Sequence, residues 1–327
     1  DSRQSILAKM RGTSIHIPDL QHLMHSWPQG VHSEIERLEV EVSNTLESIF
    51  SSPKDAKRLQ KMKASGVALF GASWWACVPY ERLRTATYLS IWYAETDSYE
   101  YSTLIHDFEK STRFREETLK FLNEALLPSG EPRLEISTNP IIANFKPVGD
   151  AISENYDHRR VNTFLHELRF FIQMSEEEQR MQSLQQLPTL EEYIHRRMGS
   201  SAVRVCLAIS EYAYNLDIPH EIMTQSFMET IWNETNIIIS TVNDILSIKK
   251  EIDQEQVDSL IPLLTLEVGT GQWAINTAVE MIETSIKRLE QAERDALAYC
   301  RSRPTILEDV RKFIDGCKYA CTANLNW

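Results

Sequence analysis

The sequence predicts an all-α fold, an antiparallel helical bundle of about 10–12 helices in a single domain, 1–327. Glycine and proline are sparse, ten and twelve in 327 residues, which leaves little turn chemistry. Apolar residues recur at a period near 3.6 along most of the chain. No stretch alternates apolar and polar residues between hairpin signals, so strands are not expected.

Residues 1–31, with Pro18 and Pro28, read as an N-terminal arm. Ser33-Glu34-Ile35-Glu36 reads as a capping box opening a helix with apolar residues at Ile35, Leu38, Val42, Leu46 and Ile49. Ser52-Pro53 breaks it, and 58–77 follows as a helix of small residues ended by Pro79. The spacing predicts a strongly apolar helix over 81–101 and an amphipathic one over 108–127, closed by Pro128-Ser129-Gly130. Pro140 and Pro147 bracket a connection, and 150 to about 184 reads as one or two long helices. Thr189-Leu190-Glu191-Glu192 is a second capping box, opening a helix through Tyr193 and Arg197. Pro219 precedes a long helix ending near Glu251. Residues 260 to about 292 form an amphipathic helix with Pro262 in its first turn, where a missing N–H is tolerated. Thr305-Ile306-Leu307-Glu308 opens a last helix running towards Asn326.

The net charge of −13 argues against a nucleic-acid partner. Five cysteines without a C-x-x-C pair suggest reduced thiols and a cytoplasmic location. Residues 1–30 lack the apolar run of a signal peptide, and no window approaches the ~18 apolar residues of a membrane span. A homodimer stays open.

The most informative stretch is Asn243-Asp244-Ile245-Leu246-Ser247-Ile248-Lys249-Lys250-Glu251. Asn243, Ser247 and Glu251 follow one another at steps of four, which an α-helix brings to nearly one face. Each carries an oxygen suited to a hard cation, so the pattern reads as three ligands for one Mg²⁺, completed by water and phosphate oxygens. A solvated helix face is the plainer reading. The apolar run Ile237–Val242 before it, with Ile245, Leu246 and Ile248 within it, suggests a buried helix on which unpartnered oxygens would be costly. A Mg²⁺–phosphate enzyme also needs further acidic ligands and cations for the anion. Asp97-Ser98-Tyr99-Glu100-Tyr101 and Tyr193-Ile194-His195-Arg196-Arg197-Met198 are the candidates.

These residues resemble the class I terpene synthases (terpene cyclases) of the single-domain fungal and bacterial type, over most of the chain. The Asn243–Glu251 segment matches the family's N-D-x-x-S-x-x-K-E motif at every key position. Arg82-Leu83-Arg84, with Asp97 thirteen residues after Arg84, matches the lead-in to its aspartate-rich motif. Tyr193 and Arg197, the latter 46 residues before Asn243, resemble the segment carrying the diphosphate-sensing arginine; Arg196 is the alternative register. Cys321-Thr322-Ala323-Asn324-Leu325-Asn326-Trp327 resembles the start of the terminal W-x-x-x-x-x-R-Y motif, so the tail is expected to be incomplete. The aspartate-rich motif departs from the family: Ser98 and Tyr101 stand where acids are usual, and Glu100 is a substitute one position early.

The resemblance implies the class I terpenoid synthase fold and an allylic prenyl diphosphate held on three Mg²⁺ ions, ionised and cyclised with release of pyrophosphate. Asn243, Ser247 and Glu251 would hold one ion and Asp97 the other pair, while Arg197 and Lys250 would donate to the diphosphate. Tyr93, one turn before Asp97, is the first aromatic candidate for stabilising a carbocation, a contact worth roughly 0.5 to 2 kcal/mol. Trp327, Phe70 and Trp74 are further candidates, with core packing as the plainer role. Gly199-Ser200-Ser201 would break the helix and turn a carbonyl towards the cation, or simply kink it. Asp244 reads as a supporting salt bridge. Farnesyl diphosphate leads as substrate, with geranyl and geranylgeranyl diphosphate open. A chain-elongating prenyltransferase and a non-catalytic isoprenoid-binding protein on the same fold are the alternatives. His158-Arg159-Arg160 and His195-Arg196 read as solvated faces, the Asn233-Glu234-Thr235 sequon as chance, and Asp107 and Glu109 as surface acids.

Overall fold

The computed structural model describes residues 2–100, 104, 107–126 and 137–327. Among these it contains eighteen α-helices, one short 3-10 turn and no strand. They group into two compact units. One comprises Asp1–Pro28, Gln173–Arg204 and Ile218–Asn326; the other comprises Gln29–Ile172, Val205–Asp217 and Trp327.

The helix count exceeds the expected ten to twelve because short helices, such as Leu20–Leu23, Pro140–Ala143 and Ser210–Tyr214, form in the arm and the connections, and because two glycines in left-handed backbone split segments that read as continuous. Gly66, at φ 70°, divides the expected 58–77 helix into Ala56–Ala64 and Val67–Trp74. Gly269, at φ 92°, divides 260–292 into Leu260–Val268 and Gly271–Cys300. Left-handed backbone is nearly free of strain only for glycine, so both breaks are written in residue type though hidden from periodicity.

The first unit is built on the Ser226–Asp253 helix, which packs against Gly271–Cys300 and Pro304–Asn326. Ile231, Ile238, Val242 and Ile245 from the first, Ile275, Ile282 and Leu289 from the second, and Phe313 and Ile314 from the third are buried. The arm expected over 1–31 is a packed part of this unit at its start. Ser2–Met10 is helical and buries Ile6, Leu7 and Met10, because its apolar residues find the Leu260–Val268 helix. Trp27 is also buried, its Nε1 donating to Glu290 at 3.1 Å. The Thr189 capping box forms as read, with reciprocal bonds between Thr189 and Glu192.

In the second unit, Leu38, Val42, Leu46 and Ile49 line the buried face of Ile35–Ile49. The Ser33 capping box does not form: Glu34 is the N-cap and makes no side-chain cap bond. Buried His32 organises this end instead, accepting the Glu34 N–H through Nδ1 at 3.1 Å while its Nε2 pairs with the Val78 carbonyl at 2.8 Å. The Tyr80–Tyr99 helix lies close to Val67–Trp74; a Cβ at Gly71 would meet Thr87 Oγ1 at 2.2 Å. Only glycine permits that approach. Tyr101 and the Pro128-Ser129-Gly130 stop lie outside the described residues. Arg160 is paired with Asp157, Glu211 and Asp217, so it is not a free cation for an anionic partner.

Glu95 is the notable buried acid of this unit. It is 1% exposed, its nearest cation Arg58 is 3.7 Å away, and neither carboxyl oxygen has a hydrogen-bond partner. Burial pushes this carboxyl up from 4.5 to about 7, against the pull of Arg58. The unfolded chain loses this proton near the ordinary value, whereas the folded chain keeps it to about 7. The group's contribution is therefore complete below about 4.5 and lost as pH rises through 7, by about 3 kcal/mol. Glu95→Gln is expected to stabilise the protein by about 3 kcal/mol at pH 8.5 and by about 2 kcal/mol less at pH 5.5 in urea unfolding. An equal effect at both pH values would contradict an ionised carboxylate buried at neutral pH.

Candidate active site

The Asn243 motif occupies the penultimate turns of Ser226–Asp253. Of its apolar residues, Val242, Ile245 and Ile248 are buried as expected, but Leu246 is exposed, against expectation. Its oxygen-bearing side is not buried either: Asn243 is exposed, and Ser247 and Glu251 are half-buried. The expectation of a helix buried around most of its circumference is thus corrected, since the triad faces outward from the core on which Val242, Ile245 and Ile248 sit. Among the three, the Ser247 hydroxyl donates to one Glu251 carboxyl oxygen. The other oxygen accepts from the hydroxyl of Ser259. Burial pushes the Glu251 carboxyl up, and these two hydroxyls pull it back.

The Leu190–Ser200 helix supplies the cation. Arg197 Nη2 donates to Asn243 Oδ1 at 2.9 Å and to Asp244 Oδ1 at 3.3 Å. Asp244 is buried and takes the Tyr193 hydroxyl on its second oxygen. Tyr193 and Arg197, one turn apart, thus grip one carboxylate from the same helix face. Burial pushes the Asp244 carboxyl up, opposed by Arg197 and Tyr193. Burial also works against the Arg197 charge, but Asp244 leads the groups that hold its pKa above the ordinary range. Arg197 Nε remains buried without a hydrogen-bond partner. Arg196 points elsewhere: it is 4% exposed, stacks its guanidinium 5.4 Å from the Tyr193 ring and reaches the Asp258 carbonyl at 3.3 Å. Of the two arginines, Arg197 is the one that touches the motif.

The helix carrying Arg197 ends at the expected Gly199-Ser200-Ser201 segment, and Ala202, at φ 60°, is the residue that turns the chain. Fully buried Asn236 ties this break down. Its Nδ2 donates to the Met198 carbonyl at 2.8 Å, and its Oδ1 accepts from Ser201 at 3.1 Å. Ser200 Oγ is buried without a hydrogen-bond partner. Asn236 and Ser259 escaped the sequence reading. A lone asparagine just ahead of the apolar run signals a buried amide that needs partners. Ser259 looks like an ordinary helix cap.

The remaining candidates, apart from Lys250 on the motif helix, belong to the second unit. Asp97 is exposed near the end of Tyr80–Tyr99. Glu100 cannot replace the missing acids: it is 5% exposed, and Arg115 donates to it through Nε at 3.1 Å and Nη2 at 2.8 Å. Tyr93 is half-buried beside Phe171, and its oxygen accepts weakly from Cys206 Sγ at 3.8 Å. Burial pushes the Tyr93 phenol well up, so it stays neutral. Phe70 and Trp74 are buried with ring centroids 4.9 Å apart. Trp327 packs on Phe70 at the same separation and donates its Nε1 to the Ser65 and Gly66 carbonyls. These three form one aromatic cluster. Lys250 is exposed.

The triad's donors are all oxygen, amide, hydroxyl and carboxylate, which fits a hard divalent cation. It carries one carboxylate, and among the described residues no group of three His, Cys, Asp or Glu side chains gathers elsewhere. Asn233, in the sequon, is paired with Arg204 at 2.8 Å inside a helix. All five cysteines are free thiols, and no helix of the described residues is long and apolar enough to cross a membrane.

An all-helical chain with a row of oxygen donors beside an arginine has the architecture of a class I terpene synthase, and solved structures share it. The α-eudesmol synthase crystal structure superposes with a TM-score of 0.80 at 16% identity, over 96% of this chain and 98% of that one. The family profile described as "Terpene synthase family 2, C-terminal metal binding" matches residues 97–288. The chain belongs to that family, and it is a terpene cyclase. Sesquiterpene cyclase hepA of Aspergillus oryzae is 29% identical over 336 residues, spanning 99% of this chain and 90% of that protein. Terpene cyclase braA of Annulohypoxylon truncatum is 23% identical over 335 residues, spanning 100% of this chain and 88% of that one.

Proposed function

We propose that the chain, acting as one catalytic domain in the cytoplasm, ionises and cyclises farnesyl diphosphate to a cyclic sesquiterpene. The reaction would release pyrophosphate and depend on three Mg²⁺ ions. The observation that carries this reading is Arg197 hydrogen-bonded to both Asn243 and Asp244 beside the triad. An anion-binding cation is thereby attached to the helix that bears the metal donors. The length of the substrate rests on the sesquiterpene cyclase relative, and the compartment on five free thiols.

Asn243, Ser247 and Glu251 would hold one cation, and Asp97 the others. With a single carboxylate among them, the triad residues carry little charge of their own, so their hold on a cation strengthens when an anion arrives with it. When bound, Mg²⁺ neutralises the diphosphate and makes it a better leaving group. Arg197 and exposed Lys250 would donate to the same anion, with Arg197 held in its rotamer by Asp244. Neutral Tyr93 would offer its ring face to a cation without competing as a base. The Phe70–Trp74–Trp327 cluster would supply apolar, aromatic surface of the kind that keeps water from a carbocation.

Incubation with Mg²⁺ and geranyl, farnesyl or geranylgeranyl diphosphate in turn tests this. Volatile products are followed by mass spectrometry and pyrophosphate by a coupled assay. Farnesyl diphosphate is expected to give a cyclic C15 product with one pyrophosphate per turnover, and chelation of the metal to abolish it. Longer prenyl diphosphates as products would identify a chain-elongating enzyme. Absence of turnover with every substrate would leave only an isoprenoid-binding role.

A further inference from the structure

We infer that Ser259 is a positioning residue for the metal site, fixing the Glu251 carboxylate in the orientation in which it faces a cation. This rests on the functional reading above. Ser259 is the N-cap of Leu260–Val268, yet its side chain makes no cap bond to that helix. A serine at this position ordinarily accepts an N–H from its own first turn. Here the hydroxyl donates instead to Glu251 Oε2, eight residues back in sequence and across the turn after Asp253. Ser247 donates to Glu251 Oε1. Both oxygens of the triad's one carboxylate are therefore oriented, one from within the motif and one from outside it.

The turn that presents Ser259 is itself held. Gln256 N donates to the Glu251 carbonyl at 2.9 Å, and Glu255 takes a left-handed backbone at φ 59°. Buried Arg196 reaches the carbonyl of Asp258, the residue before Ser259, at 3.3 Å. Arg196 thus anchors the turn that presents Ser259, while its neighbour Arg197 contacts Asn243. The Leu190–Ser200 helix consequently touches the motif at both ends, directly at Asn243 and through Ser259 at Glu251. A ligand whose free rotamers must be frozen on binding loses affinity, so a group that holds the carboxylate beforehand raises it.

The test compares Ser259→Ala and Ser259→Thr with the wild type. Binding of Mn²⁺ with inorganic pyrophosphate is read by electron paramagnetic resonance, and turnover is followed against Mg²⁺ concentration. Ser259→Ala is expected to weaken Mn²⁺–pyrophosphate binding about 10-fold and to raise the Mg²⁺ concentration for half-maximal turnover to a similar extent. The rate at saturating Mg²⁺ should stay near wild type, and the thermal midpoint should hardly move because no cap bond is lost. Ser259→Thr, which keeps the hydroxyl, restores both. Unchanged Mn²⁺–pyrophosphate binding in a folded Ser259→Ala protein would overturn the assignment, as would a loss that threonine does not restore. Should Ser259→Ala fail to fold, the serine is structural and the assignment falls. A wild type that binds no Mn²⁺–pyrophosphate would instead remove the functional reading on which it rests.

Discussion

Asp244→Ala is expected to destabilise the protein by about 3 kcal/mol, the largest stability effect of a single change near the motif. Asp244 is 2% exposed and is the shared partner of Arg197 and Tyr193. Its removal leaves a largely enclosed guanidinium and a buried phenol hydroxyl with no acceptor there. Uncompensated buried charge costs far more than the ion pair contributes when intact. Asp244→Asn keeps an acceptor for Tyr193 and removes only the charge, so about 1–2 kcal/mol is expected. Urea unfolding with unchanged slope measures both. An alanine variant within about 0.5 kcal/mol of wild type would mean the pair carries no structural weight.

Turnover should fall about 10³-fold or more in the Asn243→Ala, Ser247→Ala double variant, with little change in stability. Asn243 is exposed and Ser247 half-buried, so neither substitution empties the core or strands a buried group. Lewis-acid stabilisation of a leaving diphosphate is worth several kcal/mol, and each 1.4 kcal/mol is about tenfold in rate. The double variant therefore separates function from folding, where Asp244→Ala mixes them. Steady-state pyrophosphate release with farnesyl diphosphate, beside a thermal melt, is the measurement. A double variant turning over within about tenfold of wild type would remove the triad from the metal site, because loss of two ligands must cost more than a change outside the coordination sphere.

Glu100 shows where local reading stops. By position it reads as a substitute ligand, one residue early in the degenerate Asp97 motif. Its partner Arg115, fifteen residues on, sits on another helix and takes the carboxylate into a buried pair. Asn243 shows the reverse. Apolar flanks predict burial, yet Val242, Ile245 and Ile248 are buried because they lie away from the triad, and Leu246 beside it is exposed. Periodicity reports which side of a helix is apolar, not how far the partner helices wrap around it.

What the sequence determined by itself is short in range: the helical period of each segment, the Thr189 cap, and the four-residue steps that align Asn243, Ser247 and Glu251. These follow from backbone geometry shared by every α-helix and need no neighbour. Tertiary structure decided the rest. It set Arg197 and not Arg196 against Asn243, 46 residues away. It turned the Ser259 hydroxyl from its own helix to Glu251, and it set Asn236 on the break at Met198–Ala202. Each of these depends on where one helix docks on another. Docking is fixed by side-chain packing summed over whole faces, which no single residue's position in the chain reveals.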